Sequence, residues 1–439
     1  MAATKKVAIP GSQKIPLPGA KAIATAPRDE RLEVTVRLRP KIPLPDAREM
    51  LALSATPTPI LTHDQYEKMY GSLEADIALI RKFAKANNLI VVRESAARRS
   101  VMLSGTVADF NKAFQVNLKT YQYSAGTYRG RTGPIRIPAS LSKVVEGVFG
   151  LDNRPVAKRH GMLRGGSATR ADDAATFTPD QLARIYNFPT RVDGTGQTIG
   201  LIELGGGYRP QDITTYFKGL GIPAPTVIPV SVDGAANSPT NAKSADGEVV
   251  LDIQVAGAAA PGAKIVVYFA PNDRTSKGFL DALTKAVHDI QNNPSIISIS
   301  WGGPESPRGN GFQVQFDQAL QTAAMLGITV LVAAGDDGAA DMGPKEWDGK
   351  AHVDFPSASP FILSCGGTRL IAAGGKITKE SVWNQNSADV RDDSFGSGGG
   401  GVSRAFPLPA YQSKASVPRS LHPRGYRGRG VPDVTGDGG

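Results

Sequence analysis

At 439 residues and 41% hydrophobic content, the chain is long enough for two or three domains with sizeable cores. A single cysteine, Cys365, excludes an intrachain disulfide, and no stretch is long and apolar enough to span a bilayer. The net charge of +10 is unevenly spread: residues 1–170 hold 28 Lys and Arg against 13 Asp and Glu, and residues 171–439 hold 22 against 27. Halves of opposite sign are suited to docking on one another near neutral pH. Nucleic-acid binding, the other reading of a basic chain, finds only the Arg-rich stretch at Arg424, Arg427 and Arg429 and no aromatic-basic motif, so no nucleic-acid partner is expected.

Residues 1–29 are rich in Pro, Ala and Lys and read as disordered, with no apolar run that would mark a secretory signal. Residues 30–158 then form a compact α+β pattern. Val34–Leu38 alternates as a strand, Leu73–Asn88 is a helix with Ile77, Ile80 and Phe83 on one side, and Leu89–Val92 and Ser100–Ser104 are strands. Val107–Phe114 reads as a second helix, Thr127–Arg131 with Pro134–Pro138 as a hairpin, and Leu141–Val148 as a third helix. This order predicts a ferredoxin-like sandwich. From about Asn153 to Phe177 the apolar period disappears among Arg, Lys, Gly and Ser, so residues 159–176 are expected to be an exposed linker.

The remainder, residues 177–439, alternates strands and helices. Thr178-Pro179-Asp180 caps a short helix, Thr198–Leu204 is a buried strand, and Pro210–Leu220 is a helix. Strands at Lys264–Phe269, Ile296–Ser300 and Thr329–Ala334 are interleaved with helices at Gly278–Ile290 and Phe312–Leu326. Continuously apolar strands separated by helices indicate a parallel sheet covered on both faces, with functional residues at strand C-termini.

Before Lys264 comes the segment Asp246–Gly257. Val249, Val250, Ile253 and Ala256 recur at helical spacing, with Asp246 or Ser244 as the cap. Glu248 and Asp252 then stand one turn apart on one face. On a surface such a pair is a mildly repulsive acidic face. In a cleft, two adjacent carboxyls cannot both ionise easily, so the pair can hold or pass a proton.

Three further sites fall at strand ends: Glu203, the run Ser300-Trp301-Gly302-Gly303, and Gly335-Asp336-Asp337-Gly338. Taken singly, Glu203 could be a capping acid, Asp336 a turn residue and Trp301 a core side chain. Gly205-Gly206-Gly207 lacks the spacing and the Lys-Ser/Thr of a phosphate loop.

Together these words resemble the subtilisin-like fold, and more closely its acid-active branch, the sedolisins or serine-carboxyl peptidases of kumamolisin type. The matching segments are IELGGGY at Ile202–Tyr208, DGEVVLDIQVAGAAAPGAKIVVYFAP at Asp246–Pro271, SISWGGPE at Ser298–Glu305, VAAGDDG at Val332–Gly338, HVDFPSASP at His352–Pro360, GGTRL, GGGVSR and GRGVPDV. AARRSVMLSGTVADFNKAFQV, TYRGRTGP and GLDNRP resemble the family's activation domain. The resemblance implies an α/β subtilisin-like parallel sheet with helices on both faces, preceded by an α+β ferredoxin-like prodomain that docks on the cleft as an intramolecular inhibitor.

It also implies roles. Glu248 is the general base, Asp252 orients it and shares its proton, Glu203 extends the chain, and a protonated Asp336 donates to the oxyanion. Ser300, Trp301, Gly302, Gly303 and Asp354 line the substrate cleft. None of the five histidines, His63, His160, His288, His352 and His422, holds the position of a subtilisin base. The implied activity is acid endoproteolysis of polypeptides by a monomeric, extracellular enzyme, with cleavage of the linker between about His160 and Thr176.

The resemblance breaks at one point. The family nucleophile belongs to a Gly-Thr-Ser-Ala motif after GRGVPDV, and the sequence, which closes at Gly439, has no Gly-Thr-Ser triplet. Ser403 lies in a different family segment. The implied calcium ligands also fall beyond Gly439, so neither nucleophile nor metal ligands are expected in this chain. The expectation is therefore no turnover by these 439 residues alone. The competing reading is a non-catalytic peptide-binding or inhibitory relative.

Overall fold

The computed structural model describes residues 5–50, 59–160, 177–241, 244–271, 273, 275–306, 310–343, 347–385, 396–422 and 425–438. Most of the expected linker, residues 161–176, lies outside them, as does Arg424.

The C-terminal domain is built on Thr198–Leu204, a strand buried along its whole length. Lys264–Ala270 and Ile296–Ile299 flank it, both parallel. The sheet runs Val227–Ser231, Lys264–Ala270, Thr198–Leu204, Ile296–Ile299, Thr329–Ala333, Leu363–Ala373 and an antiparallel edge, Lys376–Val382. Val434–Asp437 adds a parallel pairing to Leu363–Ala373. Helices Pro210–Leu220 and Asp246–Ala259 cover one face, and Ser276–Val287 and Gly311–Met325 the other. Each fully buried Val, Ile or Phe of Lys264–Ala270 contributes about 1.5–3 kcal/mol by leaving water. The winding direction reverses between Thr198–Leu204 and Ile296–Ile299, which opens a crevice at their C-terminal ends.

In the N-terminal domain an antiparallel sheet runs Ile90–Ser95, Ser100–Thr106, Arg31–Leu38, Val145–Phe149. Helices Glu74–Ala86 and Val107–Phe114 pack on one face against Val34, Val36 and Leu38. Alternation turns Thr35 and Arg37 the other way, onto the second domain. There Thr35 Oγ1 donates to Asp281 at 2.7 Å, and Arg37 Nε to Gln315 at 3.3 Å. Arg93 pairs with Asp233 at 3.2 Å, so the opposite charges of the two halves do meet across the interface.

Three expectations are corrected. Leu141–Val148 is not a helix: a short 3-10 turn, Ala139–Leu141, leads into the strand Val145–Phe149. Apolar pairs at Val144-Val145 and Val148-Phe149 suit either period, and the open edge of Arg31–Leu38 decides for the strand. The hairpin partners also differ. Gly126–Gly130 pairs with Lys119–Tyr123, where the Tyr121 and Tyr128 rings stack at 5.2 Å, and Arg136–Pro138 pairs with Lys6–Ala8. Finally, the N-terminal 29 residues are not all disordered, since Lys6–Ala8 and Lys21–Thr25 are strands. A segment this poor in apolar residues orders by borrowing the domain's core, into which it sends Ile9 and Ala26.

Candidate active site

Helix Asp246–Ala259 carries Glu248 and Asp252 to the crevice. Its N-cap position is Ala245, not Ser244 or Asp246, although the Ser244 hydroxyl accepts the Asp246 N–H at 3.1 Å. Val249 and Ile253 bury against the sheet, while Val250 and Ala256 are only partly buried. Gly257 lets the ring of Phe217 approach, since a Cβ there would lie 2.7 Å from it. That registration turns Glu248 inward until it is 1% exposed.

The carboxyls form one connected group. Glu203, fully buried at its strand end, accepts the Trp301 Nε1–H at 3.1 Å, and its carboxyl lies within electrostatic reach of Asp252. Two buried acids so placed cannot both ionise easily, so one proton can serve both. The Ser300 hydroxyl spans both Asp252 oxygens at 2.9 and 3.0 Å. Burial, then the Asp252 charge, raises Glu203 well above its ordinary value. Burial also lifts Asp252 to about 6, against the Ser300 and Glu203 hydrogen bonds that lower it. Glu248 is pushed up to about 11 by burial, then by Asp252, Glu203 and Asp336, with Arg159 opposing. Its Oε2 has no hydrogen-bond partner among the described residues. Asp336, just past Thr329–Ala333, therefore faces the same group. The fold brings all four expected acids together.

The cleft wall, Trp301–Pro304, is itself paired. On one side Gly303 and Pro304 pair with Phe355 and Asp354. On the other, Arg159 and Lys158 pair antiparallel with Trp301 and Gly302, and the His160 N–H donates to the Ser300 carbonyl at 2.8 Å. The linker thus begins as an extended strand laid in the crevice, like a bound peptide. Gly302 makes room beneath it: a Cβ there would meet both Asp354 carboxylate oxygens at 2.3 Å.

Sequence reasoning missed three members of this site. His160 is buried with its Nε2 3.1 Å from Asp354, and Lys158 reaches Asp337 and Asp341. The available signal was charge, the triplet Lys158-Arg159-His160 against an acid-rich second half. Two expectations about other residues hold. Ser403 is engaged elsewhere, donating to Glu305 at 2.6 Å, and His352 is a loop histidine bonded to Asp348 at 2.9 Å. Among the described residues no three acidic, imidazole or thiol groups converge as a metal site, and none is assigned a calcium ion. Nor is any described helix long and apolar enough to cross a membrane.

Residues 18–154 match the pro-kumamolisin activation domain, and residues 234–428 the subtilase family. The chain is 48% identical over 421 residues to kumamolisin from Bacillus sp. (strain MN-32), covering 93% of this chain and 74% of that protein. It is 26% identical over 371 residues to sedolisin from Pseudomonas sp. (strain 101), covering 81% and 62%. Among solved structures it resembles Pseudomonas sedolisin, a serine-carboxyl proteinase complexed with pseudo-iodotyrostatin, with a TM-score of 0.52 at 25% identity over 60% of this chain and 71% of that one. With an activation domain ahead of a subtilisin-like domain, and nearly half its residues shared with kumamolisin, the chain belongs to the sedolisin family of serine-carboxyl peptidases, as a precursor.

Proposed function

We propose that the full-length gene product is an endopeptidase that cuts polypeptides in acid and is held inactive by its own N-terminal domain. The observation that carries this reading is the buried group Glu248, Asp252 and Glu203 with Asp336 alongside. Glu248 takes the proton of a serine hydroxyl as its oxygen attacks the peptide carbonyl, then returns that proton to the leaving amine. Asp252 and Glu203 share a proton and spread the charge that Glu248 gains and loses. Asp336, as a neutral carboxylic acid, donates a hydrogen bond to the oxyanion. Histidine would be cationic and useless as a base in acid, whereas coupled carboxyls still exchange protons there.

The linker supplies the inhibition. Lys158–His160 occupies the cleft as a substrate would, and Arg159 approaches Glu248. Burial is the largest influence on Glu248, so in this covered state the base keeps its proton and cannot take another. Departure of the linker readmits water and returns the base to the acid range. Cleavage within the linker, between about His160 and Thr176, then frees the cleft. The sequence has no Gly-Thr-Ser triplet, and no hydroxyl of this chain is assigned as the nucleophile. Calcium enters no step. An extracellular, monomeric enzyme is the setting that best suits such a precursor.

Digestion of casein or haemoglobin in acid by the full-length product, with Glu248→Gln as the control, tests the reading. Undiminished activity in that variant removes the proposed base. The coding DNA downstream of Gly439 offers an independent check. Gly-Thr-Ser-Ala encoded there supports the enzyme, and unrelated sequence favours the non-catalytic peptide-binding reading.

A further inference from the structure

The helix Gly311–Met325 is the ridge on which the N-terminal domain sits. Residues 311, 315, 318, 322 and 325 fall on one face of it, and each meets a residue of the N-terminal half. At its far end the Met325 carbonyl accepts the Leu61 N–H at 2.9 Å, and Thr322 Oγ1 lies 3.0 Å from the Tyr66 hydroxyl. Gln318 accepts from Arg99 at 2.9 Å, as Gln315 does from Arg37 at 3.3 Å. At the near end the partner comes from the start of the chain. The Gly311 N–H, which no carbonyl of its own helix can satisfy, donates to the Gly11 carbonyl at 3.1 Å. Glycine is required at this crossing. Gly11 sits in the left-handed region at φ +69, and a Cβ on it would lie 2.8 Å from the Gly311 nitrogen.

Gly11 is the middle of a run, residues 6–17, that lies ahead of the residues matching the activation domain and is fastened to the N-terminal domain on both sides of the crossing. Before it, Lys6–Ala8 pairs with Arg136–Pro138, Lys6 Nζ donates to the carbonyls of Lys112 and Ala113 at 3.0 and 2.9 Å, and Ile9 is buried in the core. After it, the Ser12 and Ile15 carbonyls accept from Arg131 and Arg154 at 2.7 and 2.6 Å, and the Leu17 N–H donates to the Tyr128 hydroxyl at 3.0 Å. A segment anchored at both ends to one domain, with its middle bonded to the other, clasps the two together. We propose that residues 6–17 are a strap that keeps the N-terminal domain seated on Gly311–Met325 after the linker has been cut, so that freeing the peptidase domain takes a second event, the loss of the strap. The place for that event is the turn at residues 17–20, closed by the Ala20 N–H on the Leu17 carbonyl at 2.9 Å and exposed at Pro18 and Gly19. This deepens the precursor reading above and rests on it for its purpose, while the seating itself is measurable without turnover.

The 439-residue chain is given a specific protease site in place of residues 165–170 and is nicked there, and dissociation of the two pieces is followed by size-exclusion chromatography near neutral pH. Gly311→Pro removes the N–H that the strap holds. It leaves the helix intact, because proline suits the first helical position and Asn310, extended at φ −102 and ψ 166, already has the conformation that a following proline requires. Dissociation is expected to be about tenfold faster in this variant than in the parent. In a chain lacking residues 1–17, the same substitution is expected to add nothing further. Equal rates in the parent and Gly311→Pro overturn the strap. So does an undiminished effect of Gly311→Pro in the strapless chain, which places the cause in the helix, and so does a parent that falls apart on nicking. Each of these leaves the precursor reading to the acid digestion described above, which does not depend on the strap.

Discussion

The imidazole of His160 and the carboxylate of Asp354, 194 residues apart in sequence, meet at 3.1 Å with both side chains withdrawn from water. Burial alone would lower the histidine, but the Asp354 charge and hydrogen bond overcome it and raise its value above 6.5. Their contact therefore holds the linker most firmly below the ordinary histidine value and weakens as pH rises through the raised one. His160→Ala should cost about 2 kcal/mol of linker docking, near thirtyfold in the open population. The measurement is the rate of linker nicking by an added protease around pH 6. Nicking at the parent's rate would show that the pair does not hold the segment.

Glu203 offers a stability test of the opposite kind. Its carboxyl is buried and raised, so its proton is stabilising below the unfolded value near 4.5, and that stability is lost as pH climbs toward the folded one. Glu203→Gln keeps an acceptor for Trp301 and offers Asp252 a donor. Thermal unfolding of the variant should match the parent at about pH 4 and exceed it by roughly 2 kcal/mol near pH 7. A variant less stable than the parent near neutral pH would mean that the shared proton is worth more than its titration costs.

At the domain interface, His288 works the other way. It lies 5.4 Å from the Tyr66 ring and 6.2 Å from the His63 ring, by centroids. Burial, followed by Arg98, His63, Arg37 and Arg99, holds it well below 6.5. Stability from the neutral ring is present above 6.5 and is lost as pH falls toward the depressed value. His288→Gln should therefore lose less melting temperature than the parent between about pH 7 and pH 4. Parallel declines in the two proteins would exclude this histidine as a source of acid sensitivity.

Gly302 tests the wall of the cleft. A methyl group there would meet the Asp354 carboxylate at 2.3 Å. Gly302→Ala is expected to cost about 1–3 kcal/mol and to release the linker, read as loss of His160 amide protection. Retained protection would mean that Asp354 moves aside at little cost.

The sequence alone determined what depends on near neighbours. The helix Val107–Phe114 runs as expected, and the structure shows it entered through a capping box of Thr106 and Asp109; the apolar run Thr198–Leu204 is the buried strand that its composition indicates. Glu248 and Asp252 share a face because they are one helical turn apart. Only the tertiary structure decided which partners those elements take. Val145–Phe149 became a strand because an edge was open beside Arg31–Leu38. Lys158 and His160 entered the cleft because acids 179 and 194 residues away stand where a crossover leaves a crevice. Spacing along a chain governs the face on which a side chain emerges, whereas burial and charge pairing across the fold govern what it meets and whether it keeps its proton.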